Sequence, residues 1–253
     1  MSALIATTDH GPLRVLRLQR PPVNALHPAL CHALADAVDA TVAAGAQALV
    51  LAGGPGVFSA GLDVPHLMAL GDDRAALLQA WSAFFRAART LAACPVPVAA
   101  AIAGHAPAGG CVLALCCDWR VMAEGPFRIG LNETEVGLVV PEGIQALMAR
   151  TVGPRQAERL LVGGRMLDAA EAARIGLVDE LAAVEKVETR ARRWLEGLLQ
   201  LPAMPMRETR AIARRDVLAA LAPERIDLER FVTHWTHPDT QAGLRALLAR
   251  IGK

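Results

Sequence analysis

Three stretches hold residues whose types and spacing suit chemistry. The first is "FRIGLNETEVGLVVPEG", Phe127 to Gly143. It is mostly apolar, yet it carries Glu133 and Glu135 two residues apart and Glu142 just past a proline. A carboxylate in an apolar segment is costly unless something needs it. Apolar surroundings also raise its pKa towards neutrality, which suits a proton-transfer group. The other two are glycine-bearing loops, "GGPGVFSAGLD" (Gly53 to Asp63) and "AGHAPAGGCVLALCCD" (Ala103 to Asp118). Each follows a buried-strand pattern and precedes a helical one. A strand that turns into a helix leaves free backbone N–H groups at the helix start, and glycine lets that backbone approach a ligand closely. Two such loops facing one point would give two N–H donors to one oxygen, the form of an oxyanion hole. Tight turns that only pack account for the same loops equally well.

Other chemistries fail on spacing. No lysine follows the glycines as a phosphate loop requires, and no dinucleotide GxGxxG is met. A hydrolase elbow needs GxSxG, but Val57 stands two residues before Ser59, which reads as a turn residue. There is no HExxH, and the seven histidines show no metal-ligand spacing, so no metal site is expected. His105, alone in the second loop, reads as a hydrogen-bonded structural group.

These stretches sit in an alternating frame. "LRVLRLQR" reads as a strand, "HPALCHALADAVDATVAAG" as a helix from near Pro28 to Gly45, and "AQALVLAGG" as a buried strand. "DDRAALLQAWSAFFRAARTLAAC" is a long amphipathic helix with an Asp at its start, and "VPVAAAIAG" and "CDWRVMA" are further strands. The pattern predicts an α/β fold with largely buried strands. From Gly143 onward the chain reads almost wholly helical, with starts near Pro154, Asp168, Val184, Pro205, Pro223 and Pro238. Gly197 and Pro202 place a soft boundary that divides a core, 1–197, from a helical C-terminal region, 198–253. No clear internal repeat is legible.

The 253 residues, 53% hydrophobic with a formal net charge of +1, suit one large domain with a sizeable core. The charge gives no reason to expect nucleic acid or a membrane surface as partner. Five cysteines, an odd count without CxxC, read as buried free thiols in a reducing compartment. The stretch "MSALIATTDHG" lacks the basic region and long apolar core of a signal peptide, and no apolar run reaches about 20 residues, so a cytoplasmic protein without a membrane partner is expected.

Taken together, "PPVNAL", "GVFSAGLD", "AGHAPAGGC", "LALCCDWRVMA", "IGLNETEVGL" and "VGPRQAERLLVGGRMLDAAEAARIGLVDEL" resemble the crotonase, or enoyl-CoA hydratase/isomerase, superfamily over most of the chain. Within it, "PAGGC" followed by "IGLNET" is most similar to the 3,2-trans-enoyl-CoA isomerase branch. The resemblance implies a spiral of ββα units, a helical C-terminal region used for oligomerisation, and homotrimers or dimers of trimers. It implies an acyl-CoA thioester substrate and no separate cofactor, since coenzyme A is part of the substrate. It assigns the oxyanion donors to the backbone N–H groups of Leu62 and Gly109. It places coenzyme A contacts around Val23, Ala60 and Asp63, and on a C-terminal helix of this chain or a neighbour, with Phe231 as the candidate.

The family's hydratases use two glutamates. One lies three residues after the donor glycine, where this chain has Val112; the other corresponds to Glu133, four residues before Gly137. Hydration activates water at one carbon and delivers a proton to another, which suits two carboxyl groups. Double-bond migration from C3–C4 to C2–C3 needs one proton moved on one face, which one carboxylate can do. The dienoyl isomerase branch has a second acid where this chain has Pro141, and Glu142 reads as solvent-facing. Asn132 and Glu135 read as a helix N-cap and its capping-box partner, leaving Glu133 as the candidate base. Two rivals stay open: another crotonase reaction, such as hydration or dienoyl isomerisation, and an inactive acyl-CoA-binding or assembly protein.

Overall fold

The structure is a computed structural model that describes residues 3–250 and 252. A hairpin of β1 (Ile5–His10) and β2 (Leu13–Leu18) leads into α1 (Pro28–Ala43). Three ββα units follow. The first is β3 (Ala48–Ala52) and β4 (Gly56–Val57) with α2 (Val64–Ala69) and α3 (Arg74–Ala93). The second is β5 (Val98–Ile102), β6 (Gly104–Pro107) and α4 (Gly109–Leu115). The third is β7 (Trp119–Ala123), β8 (Arg128–Gly130) and α5 (Glu142–Val152), with a single 3-10 turn, Thr134–Val136, before α5. Then come α6 (Pro154–Val162), β9 (Leu167–Asp168), α7 (Ala169–Arg174), β10 (Glu180–Ala182) and α8 (Val187–Leu198). The C-terminal region holds α9 (Ala203–Ala213), α10 (Arg215–Ala220), α11 (Pro223–Ile226), α12 (Leu228–Trp235) and α13 (Pro238–Arg250).

In each unit the first strand joins one sheet and the second strand joins another. The larger sheet runs β1-β2-β3-β5-β7-β10 and is parallel apart from the β1/β2 pair. The smaller runs β4-β6-β8-β9. This is the expected ββα spiral. No repeat is legible in the sequence because the second strands are two to four residues long. That is too short to show an alternation.

Every residue of β3 and β5 is buried, since both faces of the sheet are covered, as parallel sheets require. Leu49, Leu51 and Val98 face the main core with α1 and α3. Val50, Ala99 and Val121 face α8 through Val187, Ala191 and Leu195. Asp73 caps α3 by accepting the Ala76 N–H at 3.0 Å, the predicted start.

Asp118 ties the C-terminal region to the core. Its carboxylate accepts the Val98 N–H at 2.7 Å and two bonds from Arg210, at 2.9 and 2.8 Å, and pairs with Arg214 at 3.0 Å. Arg210 and Arg214 also donate to the Cys94 and Cys116 carbonyls. A nearly buried carboxylate is tolerable here because two guanidiniums and a backbone donor satisfy it. α12 and α13 fold back on their own chain: Phe231 and Trp235 reach Trp81 of α3, with ring centroids at 4.2 and 6.3 Å.

Candidate active site

The first loop is built by Ser59 and Asn24. Ser59 is fully buried; its Oγ donates to the Asn24 carbonyl at 2.8 Å and accepts the Gly61 N–H at 3.2 Å. Asn24 Nδ2 donates to the Phe58 carbonyl and its Oδ1 accepts the Arg20 N–H. Ser59 is therefore a turn residue, as read from the sequence. Asn24, in the stretch "PPVNAL", is therefore a positioning residue for this loop. Its signal was a buried-type polar side chain between apolar neighbours. Gly61 has φ +82°, and a Cβ there would stand 3.2 Å from the Pro107 carbonyl, the Gly109 nitrogen and Ala108 Cβ. The two glycine loops therefore abut at Gly61.

In the second loop Ala108 takes φ +47°, a conformation non-glycine residues rarely adopt. That strain turns the chain sharply from β6 into α4 and leaves the Gly109 N–H at the helix start. Among the described residues, neither the Leu62 N–H nor the Gly109 N–H donates in any turn, loop, cap or side-chain hydrogen bond. Both residues line one apolar chamber of about 290 Å³, together with Val112, one helical turn beyond Gly109.

Glu133 enters the same chamber from the end of β8. Its carbonyl accepts the Val136 and Leu138 N–H groups at 3.0 and 2.8 Å, which fixes its backbone in the 3-10 turn. The residue is half-buried, but its Oε2 is buried and has no hydrogen-bond partner. Loss of hydration pushes its pKa up to about 7, against a smaller lowering from its own backbone N–H. A carboxylate with one oxygen unpaired, held near neutrality in an apolar chamber, is suited to take and return a proton.

The predicted capping box does not form. The turn is a single 3-10 turn with no side-chain cap, and Glu135 instead faces outward, 3.6 Å from Arg250 of α13. One turn is too short to present an N-cap and a third helical position to each other. Glu142 is exposed and paired with Arg225 at 2.7 Å, while Pro141 lines the chamber. His105 Nδ1 accepts the Arg128 N–H at 3.1 Å, a structural bond, as the sequence suggested.

A groove of about 520 Å³ adjoins the chamber through the shared residues Ala60, Leu62, Val64 and Leu247. It brings together Val23, Ala60 and Asp63, with Arg20 beside them. The Asp63 carboxylate is already engaged: it caps α2 through the His66 N–H and pairs with Arg20 at 2.6 Å. Phe231 does not join that group. It lies in the chamber wall of its own chain, 5% exposed, edge-on to Trp81. α12 packs on α3, so this aromatic lines the apolar chamber and not the groove. Among the described residues no cluster of three or more His, Cys, Asp or Glu is placed to hold a metal. No helix among them is long and apolar enough to cross a membrane.

Comparison with known proteins agrees with this geometry. The mitochondrial enoyl-CoA delta isomerase 1 of mouse is 31% identical over 98% of this chain and 86% of its own length. A probable enoyl-CoA hydratase of Mycobacterium tuberculosis is 34% identical over 86% of this chain and 82% of its own. The crystal structure of human mitochondrial delta3-delta2-enoyl-CoA isomerase superposes with a TM-score of 0.92 at 30% identity, covering 98% of both chains. The profile of the enoyl-CoA hydratase/isomerase family matches residues 9–250. With two abutting glycine loops, three ββα units and this match along nearly its whole length, the chain belongs to the enoyl-CoA hydratase/isomerase family.

Proposed function

We propose that this protein is a 3,2-trans-enoyl-CoA isomerase in which Glu133 alone moves the proton. The observation that carries the reading is the pairing of a Glu133 carboxylate whose buried Oε2 has no partner with Val112 in one chamber. Valine holds the position at which a second carboxyl group would serve hydration. Glu133 takes a proton from C2 of a 3-enoyl thioester. The C–H electron pair moves into the C1–C2 bond, and charge collects on the thioester oxygen. The N–H groups of Leu62 and Gly109 donate to that oxygen. The same Glu133 then returns the proton to C4, leaving the double bond at C2–C3. These steps need a proton carrier and two donors, and coenzyme A arrives as part of the substrate. The groove beside Val23, Ala60 and Asp63 takes the pantetheine arm in this reading, and the aromatic chamber takes the acyl chain.

The test is a series of 3-enoyl-CoA thioesters followed by the appearance of conjugation, beside hydration of the matching 2-enoyl-CoA. Positioned acid–base groups supply about 10²–10⁴-fold each, so isomerisation should proceed while hydration runs at least about 10²-fold slower than in a hydratase that has both glutamates. Fast hydration without isomerisation sinks the proposal. Acyl-CoA binding without either reaction favours the inactive binding protein.

We assign contact between copies of this chain to α9, within the 198–253 region. None of its residues is buried, and Met204 and Ile212 are 69% and 58% exposed. A helix with apolar side chains left in water invites a partner surface. Sedimentation of the intact protein should give a trimer or its dimer, and Met204→Glu with Ile212→Glu should give a monomer. A monomeric wild type removes this assignment. The five cysteines are free and buried, which supports a reducing compartment, the cytoplasm in our reading; the mouse relative's name places that protein in the mitochondrion.

A further inference from the structure

The turn that carries Glu133 does not hold itself. Its own backbone hydrogen bonds are local: the Glu135 and Gly137 N–H groups donate to the Asn132 and Thr134 carbonyls, and the Val136 and Leu138 N–H groups donate to the Glu133 carbonyl. A single turn is an unfavourable nucleus on its own, so its place is set from outside. On one side the Thr134 hydroxyl donates to the Leu161 carbonyl at the end of α6, at 3.0 Å. On the other side stands α13. The Thr240 hydroxyl donates to the Gly137 carbonyl at 2.7 Å, and Thr240 is 5% exposed. At Gly243 the two backbones touch. A Cβ there would stand 2.6 Å from the Val136 carbonyl oxygen and 3.0 Å from the Gly137 nitrogen. One turn further on, Leu247 lines both the chamber and the groove. Thr240, Gly243 and Leu247 are spaced three and four apart, which places them on one helix face.

We propose that Thr240 and Gly243 are positioning residues for Glu133: from the last helix of the same chain they seat the turn that aims its carboxylate. The inference rests on the reading of Glu133 as the base. The link is short. Val136 and Leu138 both donate to the Glu133 carbonyl, so displacing Val136–Gly137 carries directly to the Glu133 peptide. The same face of α13 that closes the chamber therefore also sets the base.

The experiment uses the full chain with a 3-enoyl-CoA substrate and compares Gly243→Ala, Thr240→Val, Thr240→Ser and Glu133→Gln. Displacing a catalytic group by about 1 Å costs about 100-fold, so Gly243→Ala should lower kcat on that order with KM near the wild-type value. Thr240→Val, which leaves the Gly137 carbonyl without its donor, should lower kcat, and Thr240→Ser should recover most of it. The decisive readout is the acidic limb of the pH–rate profile. A carboxylate that slips from the chamber regains water, and the limb moves to lower pH. The other ionisable groups around the turn are Glu135 on it, Asp239 and Arg250 of α13, and the buried Cys111 thiol of α4; none is altered by these substitutions. If Glu133→Gln stays active, the base is misassigned. If it is inactive while Thr240→Val and Gly243→Ala keep both kcat and the limb, the positioning role alone is overturned. Should Gly243→Ala not fold, the Thr240→Val and Thr240→Ser pair decides.

Discussion

Glu133→Gln should lose isomerisation by about 10²–10⁴-fold, the range a positioned acid–base group contributes, while still binding acyl-CoA. The amide keeps the shape of the side chain but cannot take a proton from C2. In the wild type, kcat/KM should rise with pH and level off above about 7, because the carboxyl group must be ionised to act and burial holds its pKa near that value. The same burial links Glu133 to stability. Its folded-state pKa is raised, so the native chain keeps this proton where the unfolded chain has lost it. The stability it contributes is full below the ordinary carboxylate value of 4.5 and is lost as pH rises through about 7. Glu133→Gln lacks that dependence and should gain in melting temperature on the wild type between pH 4.5 and pH 8. A Gln variant with near-normal kcat, beside an inactive Glu142→Gln, would show that the wrong carboxylate was chosen.

Gly61→Ala should cost about 10²–10³-fold in kcat, the loss expected for an oxyanion donor. Gly61 is where the two donor loops meet. An alanine there must adopt φ +82° and place its Cβ 3.2 Å from the Pro107 carbonyl, the Gly109 nitrogen and Ala108 Cβ. In the proposed mechanism, separating the loops keeps the Leu62 and Gly109 N–H groups from sharing the thioester oxygen. The left-handed backbone by itself costs about 1–2 kcal/mol for a residue with a Cβ. Gly45→Ala is the control: Gly45 has φ +90° and nothing within 4 Å of an added Cβ. It should lose similar stability with kcat intact. If both variants lose stability and neither loses rate, the convergence of the two donors is not what drives the reaction.

The long elements were legible because each carries its own signal. The apolar runs at Ala48–Ala52 and Val98–Ile102 are strands buried on both faces, and the long amphipathic pattern with an Asp near its start is α3, capped by Asp73. The second sheet was not legible. Its strands contain too few residues for periodicity, and they exist because the first sheet and the glycine loops bring them side by side. Glu135 failed for a related reason: local spacing suggested a capped helix, but the chain there makes one turn and sends Glu135 to Arg250, 115 residues away by sequence.

By itself, the sequence determined which chemistry was available. It put glycine where two loops need close approach, glutamate at 133 and valine at 112, and it excluded phosphate loops, zinc motifs and a serine elbow. These are matters of residue type and short spacing. Only the tertiary structure decided what each group does, because burial and convergence are properties of distant segments brought together. Folding buried Glu133 Oε2 without a hydrogen-bond partner, set Gly61 against Gly109, placed Phe231 in the chamber wall, and brought the last helix of the same chain onto the turn that holds Glu133.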